Sequence, residues 1–149
     1  MTHAHDELQA VKPTREEQEP ANELVTEICD RIYRMQLPVS MPGLGHVNCY
    51  ALEDDEGFSL VDPGLPSEES WAALKSRLNQ LGADIKDVHT AVITHSHPDH
   101  YGGVHRLQAD HELKVLTHTD FSSAYAPPDP TEYFEDPDIS ALDLADDED

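Results

Sequence analysis

Three features of the sequence predict an α/β fold, layered as helices against a sheet. The apolar run Ala91-Val92-Ile93 stops in Thr94-His95-Ser96-His97-Pro98-Asp99-His100 and is followed by Gly102-Gly103, with Val104 and Leu107 beyond at helical spacing. That order reads as buried strand, polar loop and helix. Val47 to Leu52 and Phe58 to Val61 flank the turn Asp54-Asp55-Glu56-Gly57, which predicts a hairpin. Trp71, Leu74, Leu78 and Leu81 recur at three- and four-residue spacing between Ser67 and Gly82, giving one apolar stripe of a helix. Hairpin, helix and strand compose a βαβ unit, and sheets of this class place their sites at the C-terminal edge of the strands.

In chain order, residues 1–22 are polar, carry Pro13 and Pro20, and read as a flexible lead-in. His3-Ala4-His5-Asp6 has ligand-type residues but no strand to fix them, so it reads as a solvated tail. Alternation of Tyr33, Met35 and Leu37 predicts a strand from Ile28 that ends at Pro38. Met41 to Gly45 is rich in turn formers and reads as a loop, with His46 a loop histidine at its end. Asp62 closes the hairpin ahead of Pro63-Gly64, and by residue type alone it is a turn former. Ser67 is placed to cap the helix, with Glu68 and Glu69 complementing its dipole and Gly82 ending it. Its Trp71 and leucines are expected in the core. After the histidine-rich loop, Val104 to Ala109 reads as a short helix and Lys114 to Thr117 as another parallel strand. His118 leaves that strand on the same sheet edge as His95; it is a polar strand-end residue and a candidate neighbour of the site. His89, His105 and His111 carry no ligand spacing and read as surface. From Ala126 onward prolines alternate with acids down to Asp146-Asp147-Glu148-Asp149, predicting a disordered acidic tail with brief helix near Ile139 to Leu144. The expected organisation is lead-in 1–22, one domain 23–125, and tail 126–149.

The histidine-rich loop carries the chemistry. His95, His97, Asp99 and His100 are four residues of metal-ligand type within six positions. On extended backbone, residues i and i+2 project to the same side. Two imidazoles can then reach one ion at about 2.0–2.1 Å. Pro98 keeps His97 out of a helix. Asp99 and His100 follow that bend and can face a second ion, roughly 3.5–4 Å from the first in two-metal sites. Gly102 and Gly103 let the next helix approach closely. Imidazole and carboxylate donors suit zinc first, and iron or manganese as well.

Composition narrows the function. There are 31 acids against 9 lysines and arginines, a formal charge of −22. No basic patch serves phosphates or anionic membranes, so nucleic acid and membrane are excluded as partners. High-salt adaptation and acidic ends both account for the charge. The two cysteines, Cys29 and Cys49, lie near apolar strand residues and read as small buried side chains in a reducing cytoplasm. The N-terminus lacks the apolar core of a signal peptide. No apolar run approaches the ~20 residues of a membrane span.

Thr-His-Ser-His-Pro-Asp-His-Tyr-Gly-Gly resembles the His-x-His-x-Asp-His signature of the metallo-β-lactamase-fold hydrolases, here of the glyoxalase II-like branch. Gly45 to Leu52 and Phe58 to Gly64 resemble that family's opening hairpin and its first-motif aspartate. The likeness runs from about Ile28 to Asp120. It implies the first βα half of an αββα sandwich, and a metal-activated hydroxide attacking an ester, thioester or lactone-like small molecule. His95 and His97 would hold one ion, and Asp99 and His100 help hold another, with Asp99 also orienting the nucleophile. Asp62 would orient the ligand loop rather than bind metal, and the loop before His46 would lie beside the site and touch substrate, which makes His46 a candidate neighbour of the site. The family's later ligands, the first in a Gly-His-Thr-like segment, have no counterpart after Asp120. The alternative reading is therefore a non-catalytic truncated fragment that binds metal weakly, or that associates with itself or another chain through an uncovered sheet face.

Overall fold

The computed structural model describes residues 14–122. The His3-Ala4-His5-Asp6 segment, the acidic tail and the expected helix near Ile139 lie outside the described residues.

Six strands form one sheet in sequential order: β1 (Thr26–Cys29), β2 (Ile32–Met41), β3 (Leu44–Asp54), β4 (Gly57–Val61), β5 (Val88–Val92) and β6 (Lys114–Leu116). Neighbours are antiparallel from β1 to β4 and parallel from β4 to β6. The helices are α1 (Glu68–Gln80), α2 (Pro98–Tyr101) and α3 (Gly103–Asp110). The switch to parallel pairing follows from α1, which carries the chain from the end of β4 back to the start of β5.

Register assigns the two faces. Met35 opposes Cys49, while Ala51, Leu60 and Ala91 align across β3, β4 and β5; all five are fully buried. Leu74 and Leu78 of α1 and Leu107 of α3 complete the same core. On the opposite face Tyr50, Val61, Val92 and Leu116 form one cross-strand row. That row is less covered: Leu116 is 49% exposed, and Leu52 on the same face 36%.

The expected single strand from Ile28 to Pro38 is instead a hairpin. Arg31 turns the chain with φ 62, and β2 runs on past Pro38 to Met41. β1 stops opposite Arg34, so further along β2 is an edge, where a proline lacking an N–H is tolerated. The expected Met41–Gly45 loop shrinks to Pro42-Gly43, with Gly43 at φ 79. Gly45 and His46 accordingly lie within β3.

Ser67 caps α1 as expected, its side chain accepting from the Ser70 amide at 3.2 Å. The buried stripe of α1 is rotated from the one predicted, to Ser70, Ala73, Leu74, Arg77 and Leu78. Trp71 is only half buried, flanked by the Arg106 guanidinium 5.0 Å from its ring centre. Cys49 is buried, and burial pushes its thiol well above the ordinary range. Cys29 is exposed rather than buried, because every residue of β1 faces solvent. The three histidines read as surface are tied into the fold. His89 pairs with Asp54, His111 bonds the Val88 carbonyl, and His105 packs edge-on to Tyr101.

Candidate metal centre

The site is built where two turns meet at the C-terminal edge of β4 and β5. The first turn is Asp62-Pro63-Gly64. Asp62 adopts φ 55, and its amide is held by the Val92 carbonyl at 3.0 Å. Aspartate tolerates this left-handed backbone better than most residues do. The second turn is the histidine-rich loop. β5 ends at Val92, so His95 and Ser96 sit in a bend just past the strand rather than on it. His97 keeps the extended backbone expected before proline, φ −72 and ψ 135, and serves as N-cap of α2 with Pro98 in the first helical position. The two turns are locked together at Gly103, whose amide donates to the Gly64 carbonyl at 2.7 Å. A Cβ on Gly103 would collide with the Pro63 carbonyl oxygen.

This folding gathers three imidazoles. The ring centres of His95 and His97 are 4.6 Å apart, and those of His95 and His100 are 4.0 Å apart. One ligand atom each from Asp62, His95 and His100 falls within 4.8 Å of the others. His97 lies at the edge of this group, and Asp99 lies at the other nitrogen of His100.

Hydrogen bonds fix which nitrogens are free. Asp62 Oδ1 accepts from the Thr94 amide at 2.9 Å, and its Oδ2 accepts from the Thr94 hydroxyl at 2.6 Å and from His100 Nδ1 at 2.9 Å. Because the Thr94 proton goes to Asp62, its oxygen is left to accept from His95 Nδ1, 2.8 Å away. A carboxylate can only accept, so both rings carry a proton on Nδ1, which makes Nε2 the electron-donating atom of each ring once it is neutral. One carboxylate thus sets the tautomers of two histidines, one directly and one through a threonine. Thr94, which links Asp62 to His95, carries no sequence motif of its own. Its signal was its position, a hydroxyl between the strand end and the first histidine.

His100 Nε2 faces Asp99 Oδ2 at 3.3 Å. Burial opposes charge on this ring, but its hydrogen bonds to Asp62 and Asp99 prevail and raise its pKa to about 9. Burial would raise the pKa of Asp62 and Asp99, yet bonds from His100 and, for Asp62, from Thr94 hold both below the usual carboxylate range. His95 is pushed down, first by burial and then by the neighbouring rings of His100 and His97, which favours its neutral, electron-donating form.

The sequence-predicted residues therefore separate. His95, His97, Asp99, His100 and Asp62 are brought together. His118 is not: it points away, and its Nδ1 accepts from the Asp120 amide at 3.1 Å. His46 is not a loop residue but a β3 side chain only 3% exposed, with Nδ1 donating to the Glu19 carbonyl at 2.7 Å. Among the described residues neither joins the converging group.

A family profile described as metallo-beta-lactamase superfamily matches residues 42–148, both turns of the site included. The chain belongs to the metallo-beta-lactamase superfamily. Two curated proteins of Bacillus subtilis (strain 168) are similar to it. The uncharacterized protein YobT is 35% identical over 66 residues, 44% of this chain and 26% of that protein. The probable metallo-hydrolase YqjP is 32% identical over 82 residues, 55% of this chain and 24% of that protein. The chain thus spans about a quarter of the length of these relatives. Among solved structures, the metallo-beta-lactamase family protein TTHA1429 from Thermus thermophilus superposes with a TM-score of 0.52 at 34% identity, over 55% of this chain and 27% of that one. The metallo-beta-lactamase GOB-18 from Elizabethkingia meningoseptica has the same fold, with a TM-score of 0.52 at 22% identity, over 70% of this chain and 35% of that one. The superfamily's metallo-hydrolase-like fold is therefore the fold of residues 14–122, which correspond to its N-terminal half. No helix among the described residues is long and apolar enough to cross a membrane.

Proposed function

We propose that this chain carries the histidine-rich half of a metal-dependent hydrolase centre. The observation that carries this reading is the hydrogen-bond chain from His95 through Thr94 and Asp62 to His100, which leaves His95 Nε2 free and sets His100 Nε2 against an ionised Asp99. The donor set fits a divalent ion. Two ligands on a zinc ion at about 2.0–2.2 Å lie about 3.3–3.5 Å apart at tetrahedral angles. His100 Nε2 and Asp99 Oδ2 already stand 3.3 Å apart. His95 and His97 are the pair assigned to one ion, and Asp99 and His100 are the pair assigned to another. Asp62 is the orienting residue, since three hydrogens already occupy its oxygens. Zinc is the expected ion, with iron or manganese compatible with the same donors.

A divalent ion in this site supplies Lewis acidity and acidifies water towards neutrality. The chain's own residues do the rest. Asp62 and Thr94 hold the rings in the donating tautomer. Asp99, ionised at neutral pH, is placed to accept a hydrogen bond from an attacking water, or to take its proton, on the carboxylate oxygen that the ion leaves free. The substrate class proposed is a small ester, thioester or lactone. Metal content of the purified chain, measured together with hydrolysis of a thioester and an ester panel, tests this. Zinc bound in proportion to protein, and turnover abolished by Asp99→Asn, is the expected result.

A second reading rests on the cross-strand row of half-buried Tyr50, Val61 and Val92 and exposed Leu116. On this reading the chain binds metal without turnover and associates through that incompletely covered face. Bound zinc with no hydrolysis, and a sedimentation coefficient that rises with concentration, would favour it.

A further inference from the structure

A cavity of about 380 Å³ lies between α1, the end of β2 and the segment that precedes β1. Among its lining residues, none contributes to the metal centre. Arg77 of α1 forms part of its wall and is only 6% exposed. Its Nε donates to the Gln36 carbonyl at 3.2 Å and its Nη2 to the Asn22 carbonyl at 3.1 Å. Nη1 has no hydrogen-bond partner among the described residues, and Glu23, the carboxylate whose charge acts on the guanidinium, makes no direct ion pair with it. A buried cation hydrogen-bonded only to carbonyls is stabilised further when an anion makes direct contact with it.

The rest of the lining supplies the opposite sign at a distance. Glu69, Ala73 and Arg77 are spaced by four residues on one stripe of α1, so Glu69 and Arg77 stand about 12 Å apart along the axis. Glu69 is exposed and accepts a hydrogen bond from the Ser40 hydroxyl at 3.3 Å. Between these ends the wall is apolar, with Pro38, Val39 and Ala73. A simple anion would meet the repulsion of Glu69 and of Glu23, which also lines the cavity. A simple cation would meet Arg77.

We propose that this cavity binds a short linear molecule with a carboxylate at one end, an ammonium at the other and methylenes between. The carboxylate takes the free Nη1 of Arg77, the ammonium takes Glu69, and the methylenes lie on Val39 and Ala73.

The test uses the full chain and three probes of equal length: 6-aminohexanoate, hexanoate and hexylamine. Binding is read from the methyl NMR shifts of Val39 and Ala73. The expected result is saturable shifts with 6-aminohexanoate, about fivefold tighter than with either single-charge probe, as one partly exposed ion pair supplies. Glu69→Gln should erase the advantage over hexanoate while leaving hexanoate binding in place. Absence of shifts with all three probes would reduce Arg77 to a staple between α1 and the Asn22 and Gln36 carbonyls, overturning the proposal. Equal or tighter binding of hexanoate or of hexylamine would overturn it as well.

Discussion

Asp62 Oδ2 and His100 Nδ1 are joined at 2.9 Å although 38 residues separate them in the chain. That contact ties the turn after β4 to the first turn of α2. It gives one carboxylate control of His100 directly and of His95 through Thr94. Groups that orient metal ligands typically contribute ten- to a hundredfold in affinity, so they make sharper tests than the ligands themselves.

Asp62→Asn is expected to weaken zinc binding by about 10- to 100-fold while the far-UV circular dichroism stays unchanged. Competition against a chromophoric chelator measures it. Unaltered affinity would remove Asp62 from the site.

Thr94→Val removes the hydroxyl that relays Asp62 to His95 while keeping the β-branched shape. Zinc affinity should fall by about tenfold, and Thr94→Ser should restore it. Equal loss in both variants would point to packing rather than to the hydroxyl.

His97→Ala and His118→Ala form a contrasting pair. The first removes a ring 4.6 Å from that of His95, and the second a side chain that points into solvent. Zinc stoichiometry or affinity should drop for His97→Ala and stay at the parent value for His118→Ala. Isothermal titration separates them.

The metal-free protein should lose stability as pH rises. The folded-state pKa of His100 is raised to about 9 from an ordinary 6.5. The stabilisation is then fully present below pH 6.5 and is lost as pH climbs through 9. Metal binding needs the neutral ring, so the protection conferred by zinc should grow over the same window. Thermal melts from pH 6 to 9.5, with and without zinc, should show these opposite slopes. Parallel slopes would mean that His100 does not exchange a proton for the ion.

Gly103→Ala should destabilise the fold by about 1–3 kcal/mol, despite alanine's better helix propensity, because the new Cβ meets the Pro63 carbonyl. Urea unfolding reads this directly. A stabilised variant would show that the two turns are not in rigid contact.

Much of this was legible in the order of residues. The Asp54-Asp55-Glu56-Gly57 turn, the Ser67 cap, the short helix after Gly103 and the strand at Lys114 are written in local patterns, and each formed where expected. The hairpin at Arg31 was not legible. A positive φ at an arginine leaves no compositional mark, and Pro38 looked like a strand end because its tolerance depends on where the neighbouring strand stops.

For the site, the sequence by itself determined which donors are present and that His95, His97, Asp99 and His100 arrive together, since six consecutive residues carry all four. Only the tertiary structure decided what controls them. Asp62 and Thr94 meet because β4 and β5 pair in parallel, and His46 is drawn into β3 while His118 turns to solvent. Which donors a loop carries is a local property of the chain, whereas their protonation depends on contacts between segments that are distant in sequence, which only the packing of the sheet brings within hydrogen-bond reach.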